Sequence, residues 1–152
     1  MNEVGSRGLL VFVDDDKWNM EPYVEALSKY GWDVKYFSGV DSALEFIRNE
    51  GSSMRLLIWD MMMPPGKSFD NQEHSHGLAT GRLFFEAVRK LFPRVPAILL
   101  TILRDEVVLD KYRKMPHCTA LRKQDILPSG LTEFAEQFFL SNGSSPALLP
   151  TE

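Results

Sequence analysis

Leu56-Leu57-Ile58-Trp59-Asp60-Met61-Met62-Met63-Pro64 is the stretch on which the fold turns. Four consecutive apolar residues stop at an aspartate, and prolines follow at 64 and 65. A run this short and this apolar reads as a strand buried on both faces, with Asp60 where the strand reaches the edge of a sheet. Leu9 to Val13 repeats the pattern and stops at Asp14, Asp15 and Asp16. Two interior strands therefore deliver carboxylates to a sheet edge.

Helical segments separate the strands. Asn19 to Tyr30 carries Pro22 near its start, Tyr23, Leu27 and Tyr30 at helical spacing, and Gly31 where a left-handed cap is needed. Trp32, Val34 and Tyr36 alternate with Asp33 and Lys35, which predicts a strand with one wetter face near a sheet edge. Asp41 is placed to cap a helix whose Leu44, Phe46 and Ile47 face inward and which ends at Gly51. Residues 61–79 form a long loop containing Pro64, Pro65, Gly66 and Gly77. Helical periodicity resumes over Thr80 to Phe92. Strands are expected at Ala97 to Leu100 and Thr119 to Arg122, and helices at Asp105 to Lys114 and Leu131 to Leu140. Residues 141–152, rich in Ser, Gly and Pro, read as a disordered tail behind a single domain spanning 1–140.

Parallel strands need helical crossovers, so five alternating pairs predict an α/β, flavodoxin-like, doubly wound five-stranded parallel sheet of order 2-1-3-4-5 with helices on both faces. In such sheets ligands bind beyond the carboxyl ends of the strands, near the point where strand order reverses. That rule gathers Asp14, Asp15, Asp60 and Thr101, with Lys123 close by. Three carboxylates within about 5 Å repel by about 3 kcal/mol per pair at an effective dielectric near 20, which favours a bound cation or a proton. An oxygen-only site with few protein ligands suits Mg2+. A carboxylate can accept a phosphoryl group when the group is held in line and its charge is neutralised. Metal on one side of Asp60 and Lys123 on another would neutralise it, and Thr101 offers a hydroxyl donor.

The chain of 152 residues suits one core, and its net charge of −4 supplies no basic field for nucleic acid or an anionic membrane. A single cysteine, Cys118, excludes an internal disulfide and is expected to be buried. No apolar run is long enough to span a bilayer, and Met1 to Gly8 lacks a signal pattern, so a cytoplasmic protein is expected.

Over residues 8 to 140 these features resemble the receiver domain of two-component response regulators. The run ending in Asp14, Asp15 and Asp16 resembles the first-strand acidic pair. Leu57 to Pro64 resembles the phosphoacceptor strand with its Met-Pro turn, and Leu99-Leu100-Thr101 and Leu121-Arg122-Lys123 resemble the last two signature strands. The resemblance implies Asp60 as acceptor and Asp15 as principal metal ligand, with Asp14 assisting through a water and the Met62 backbone carbonyl as a further ligand. It implies Thr101 as switch hydroxyl and Lys123 as the phosphate-pairing cation. A histidine kinase or phosphotransfer protein would supply the phosphoryl group, and helix 4, strand 5 and helix 5 would meet a downstream protein. With no output domain visible after residue 140, a stand-alone receiver is expected.

Four features depart from that pattern. Ile102 and Leu103 follow Thr101 where receivers carry a small residue, which predicts restricted access to Asp60. Ala120 stands where receivers carry a switch aromatic, so a hydroxyl cannot pull a ring there. Gln124 replaces the proline after the lysine, and a cis bond at that place would cost about 2.5–4 kcal/mol. The long loop after Asp60 adjoins the site, as a lid or a partner-specific surface. These departures sustain a rival reading, a pseudo-receiver that binds partners without being phosphorylated. A metal-dependent phosphatase with a nucleophilic aspartate wants a second acid where Met62 stands. Gly66-Lys67-Ser68 copies only the end of a P-loop, with Met61 where its first glycine belongs. Glu73, His74 and His76 complete no tetrahedral zinc set, and Met61 to Met63 read as apolar loop packing.

Overall fold

The computed structural model of the chain describes residues 6–69 and 79–144. Five strands form one parallel sheet in the order β2-β1-β3-β4-β5, as the alternation predicts. They are β1 Gly8–Val13, β2 Trp32–Phe37, β3 Met54–Trp59, β4 Ala97–Thr101 and β5 Cys118–Arg122. The helices are α1 Lys17–Lys29, α2 Val40–Glu50, α3 Thr80–Leu91, α4 Glu106–Arg113 and α5 Pro128–Phe139. Strand order reverses between β1 and β3, whose register pairs Val13 with Trp59. Asp14 and Asp60 therefore leave the sheet side by side.

The alternation of side chains across the sheet divides the core in two. Leu10, Phe12, Leu56, Ile58, Ile98 and Leu100 pack with Met20 and Leu27 of α1 and Leu131 and Ala135 of α5. Val11, Val13, Leu57, Trp59, Ala97 and Leu99 pack with α2, α3 and α4 through residues such as Leu44, Phe84, Phe85 and Tyr112. β3 and β4 are buried almost throughout, whereas β2 keeps exposed positions at Asp33 and Lys35, as befits an edge strand. Cys118 is buried at the start of β5.

Several local expectations are corrected. Asp41 does not cap α2. The N-cap is Gly39, without a side-chain bond, and the Asp41 carboxylate instead accepts from Lys67 N at 2.8 Å, Ser68 N at 2.9 Å and Ser68 Oγ at 2.5 Å. The chain after β3 competes for that carboxylate and wins it, which ties the loop to α2. Gly51 does end α2, but with φ −67° and no left-handed cap; a Cβ there would lie 2.4 Å from the ring of Phe92, so close packing is what requires glycine. Gly31, at φ +115°, is the left-handed residue expected after α1. α1 begins two residues before Asn19, because Asp16 accepts from Asn19 N and Asn19 Nδ2 and caps it.

The loop after Asp60 packs against the core at its start. Met61, Met63 and Phe69 are buried and Met62 is exposed, so Met61 and Met63 are apolar packing beside Asp60. Glu73, His74 and His76 lie outside the described residues, as do residues 145–152 of the expected tail; Leu140–Ser144 extends α5 as a π-helical turn. Among the described residues no helix is long and apolar enough to cross a membrane.

Candidate functional site

At the carboxyl edge of β1, Asp14 N donates to Phe37 O, and the Asp14 carbonyl accepts from Tyr36 Oη. Asp14 Oδ1 accepts from Asp16 N at 2.8 Å, which folds the acidic run back on itself. The three consecutive aspartates thus have separate tasks: Asp14 is buried at 1% exposure, Asp15 is exposed, and Asp16 caps α1. Asp60 N donates to Val13 O, which holds the end of β3 against the end of β1. Asp14, Asp15 and Asp60 each offer a carboxylate oxygen, and these atoms lie within 4.8 Å of one another.

Lys123 completes the cluster from the far side. Its Nζ donates to Asp60 Oδ2 at 3.1 Å and lies 2.8 Å from Asp14 Oδ2, an ion pair without hydrogen-bond alignment. The lysine opens a 3-10 turn, Lys123–Asp125, whose chain is held by Tyr23 of α1: Tyr23 Oη donates to Ile126 O at 2.6 Å. No peptide bond among the described residues is cis, so the chain passes from Lys123 to Gln124 through a trans bond.

Burial, reinforced by the Asp60 charge, raises the Asp14 carboxyl to about 6 against the opposing pull of Lys123. Asp15 is also raised, chiefly by desolvation. For Lys123 burial works against the charge, but Asp60 and Asp14 outweigh it and the ammonium is held above its usual value. The site thus carries more negative charge than one lysine neutralises. Three hard oxygen donors with residual negative charge fit a divalent cation such as Mg2+.

No family model matches the chain, and no curated protein sequence does. Solved structures do match. A response regulator receiver domain protein from Clostridium thermocellum superposes with a TM-score of 0.68 at 18% identity, covering 88% of this chain and 95% of that one. A CheY-like receiver domain protein from Methanospirillum hungatei gives 0.67 at 20% identity over 90% and 97% of the two chains. The receiver domain of the hybrid histidine kinase CckA gives 0.64 at 20% identity over 87% and 99%. The chain has the response-regulator receiver fold.

Within the receiver fold, the residues predicted for the site converge on one end of the sheet. Asp14, Asp15, Asp60 and Lys123 form one cluster. Thr101 is fully buried at the end of β4, and its Oγ1 accepts from Leu103 N at 3.3 Å, which leaves the hydroxyl proton free to donate. Met62 lies two residues after Asp60 and is exposed. Ile102 is 56% exposed, Leu103 packs partly buried against the core, and Asp60 is 4% exposed. Ala120 is buried in β5, paired with Leu99 of β4.

Sequence reasoning missed a ring of bonds behind Asp60. Asp60 Oδ1 accepts from Met61 N at 2.7 Å, Met61 O accepts from Gly81 N at 2.8 Å, and Gly81 O accepts from Trp59 Nε1 at 3.0 Å. A Cβ on Gly81 would lie 2.4 Å from both Asp60 O and Met61 Cα, so α3 rests directly on the Asp60–Met61 turn. A glycine in the first turn of a helix, after a loop leaving an aspartate, was the only visible signal.

Proposed function

We propose that the protein is a cytoplasmic phosphoacceptor receiver of a two-component phosphorelay, with Asp60 taking a phosphoryl group from a histidine kinase or phosphotransfer protein in the presence of Mg2+. The observation that carries this reading is the Lys123 ammonium within 3.1 Å of the Asp60 carboxylate, beside two further carboxylates at a strand-order reversal of the receiver fold. Asp14, Asp15, Asp60 and the Met62 carbonyl would hold the ion, whose charge offsets that of the carboxylates and the phosphoryl oxygens. An Asp60 oxygen attacks phosphorus as the bond to the donor nitrogen breaks, and the donor imidazole keeps that electron pair and takes up a proton. Lys123 pairs with a phosphoryl oxygen, and the Thr101 hydroxyl donates to another. No catalysis beyond formation and hydrolysis of its own acyl phosphate is assigned. The state is passed on by protein contacts, with α4, β5 and α5 as the surface for a downstream partner.

Burial of Asp60, 4% exposed, and the buried Ala120 where receivers carry an aromatic favour a second reading, a pseudo-receiver that keeps the fold and is never phosphorylated. Incubation with Mg2+ and a small phosphodonor separates the two. The receiver reading expects a mass gain of about 80 Da, one phosphoryl group, that needs Mg2+ and is abolished by Asp60→Asn. Absence of the adduct even with a cognate kinase supports the pseudo-receiver.

A further inference from the structure

The receiver fold usually reads its acceptor through an aromatic residue on β5, and here that place is held by Ala120, a buried methyl with nothing to swing. An aromatic side chain directly beside Asp60 in the chain comes from β3 instead. Trp59, fully buried, directly precedes Asp60 and bonds through Nε1 to Gly81 O at the start of α3. Its ring stacks on Phe85 of α3, with centroids 4.5 Å apart and planes 4° from parallel. Its edge meets Tyr112 of α4 at 5.8 Å and 71°. Phe85 and Tyr112 also meet, at 5.8 Å and 74°. Tyr112 is 2% exposed and belongs to the same core cluster as Ala120.

We propose that Trp59 reads the state of Asp60 and passes it to α4 through Tyr112, in place of the absent β5 aromatic; this inference rests on the receiver reading. The covalent and hydrogen-bonded path is short. A change at the Asp60 carboxylate bears on Met61 N, Met61 O is tied to Gly81 N, and Gly81 O is tied to the indole of Trp59. There is no slack in that path, since not even a methyl fits at Gly81.

The stack is fastened more heavily on the Phe85 side. Arg89 lies over the Phe85 ring at 4.9 Å and donates to the carbonyls of Phe92, Val95, Pro116 and His117, which fastens the far half of α3 to the starts of β4 and β5. Among such side-chain-to-backbone bonds α4 has one to β5, from Arg113 Nε to Ala120 O at 3.2 Å, beside the surface Arg122–Glu106 pair, so displacement of Trp59 is taken up more readily by Tyr112 and α4 than by Phe85. α4 presents Val107 to solvent at 79% exposure, so its movement alters a surface another protein can read.

The test uses the full 15N-labelled chain with Mg2+ and beryllofluoride as the acyl-phosphate mimic. Bound fluoride is followed by 19F resonance, and Trp59 Nε1–H and the amides of Glu106–Arg113 by 15N–1H spectra. In the wild type both sets of signals shift when fluoride binds. In Tyr112→Leu the fluoride still binds and the indole still shifts, but the α4 shifts fall to about one third or less; Tyr112→Phe, which keeps the ring, restores them. Trp59→Phe, which removes the bond to Gly81, also depresses the α4 response. A full α4 response in Tyr112→Leu, or an unmoved Trp59 indole in the wild type, overturns the inference while leaving the receiver reading intact. No bound fluoride in the wild type overturns both.

Discussion

The β1–β3 half of the sheet's carboxyl edge and the β4–β5 half are built on different principles. In the first half, Asp14 and Asp60 are 1% and 4% exposed, and each carboxylate is held by a backbone N–H and by Lys123. In the second half, Lys123 reaches inward from the end of β5, but Ile102 stands 56% exposed, Ala120 is a small core residue, and Arg113 and Arg122 pair with Glu106 on the outside. Buried charge is costly unless it is paired or used, whereas surface ion pairs contribute little. The first half therefore bears the mark of chemistry, and the second half that of a surface. The resemblance to receivers holds at Asp14, Asp15 and Asp60 of the first half and at Thr101 and Lys123 of the second, and it fails at Ile102, Ala120 and Gln124 of the second.

The largest expected effect comes from removing the cation of the carboxylate cluster. Lys123→Met leaves two buried carboxylates without a counter-charge, and a loss of about 3–5 kcal/mol in urea unfolding at neutral pH is expected, partly recovered by adding Mg2+. Next is Asp14. Its folded pKa, near 6, lies above the ordinary 3.8, so the folded state binds the proton more tightly and this group's contribution to stability is lost as pH rises from about 4 through about 6. Without metal, Asp14→Asn is expected to unfold at higher denaturant than wild type at pH 7, by at most about 3 kcal/mol, with the gap closing below pH 4. An unchanged gap across that range means that Asp14 is not the group under strain.

Gly81→Ala probes the join between the two halves. The added methyl must displace the Asp60 and Met61 backbone, and about 1–3 kcal/mol of destabilisation is expected together with slower phosphorylation of Asp60. Glu106→Gln is expected to do least. It removes the pairs with Arg113 and Arg122, but Glu106 is half-exposed, and the cost in thermal unfolding is about 1 kcal/mol or less, with phosphorylation unchanged. A larger cost would make the second half a buried electrostatic site after all.

Much of this was legible in the sequence because it depends on local periodicity and on strand ends. The runs Leu9 to Val13 and Leu56 to Trp59 stop at aspartates, and parallel topology alone brings those aspartates together. Thr101 and Lys123 follow from the same rule. What stayed hidden depends on contacts between distant segments. Asp41 has the composition of a helix cap, yet its carboxylate is taken by Lys67 and Ser68, 26 and 27 residues away. Gly51 looks like a left-handed cap, yet it is glycine because Phe92 packs on it. Asp16 was one of three like charges until the start of α1 assigned it to Asn19. The Trp59 bond to Gly81 spans 22 residues and a long loop, and no pattern in either segment announces it.

The central claim is that Asp60, and no other carboxylate of the cluster, carries the phosphoryl group. Treatment with Mg2+ and a small phosphodonor, followed by borohydride reduction and peptide sequencing by mass spectrometry, tests it directly, because reduction converts an aspartyl phosphate to homoserine. Homoserine at position 60, absent when Mg2+ is withheld, is the predicted result. Homoserine at position 14 or 15, or at no position, contradicts it.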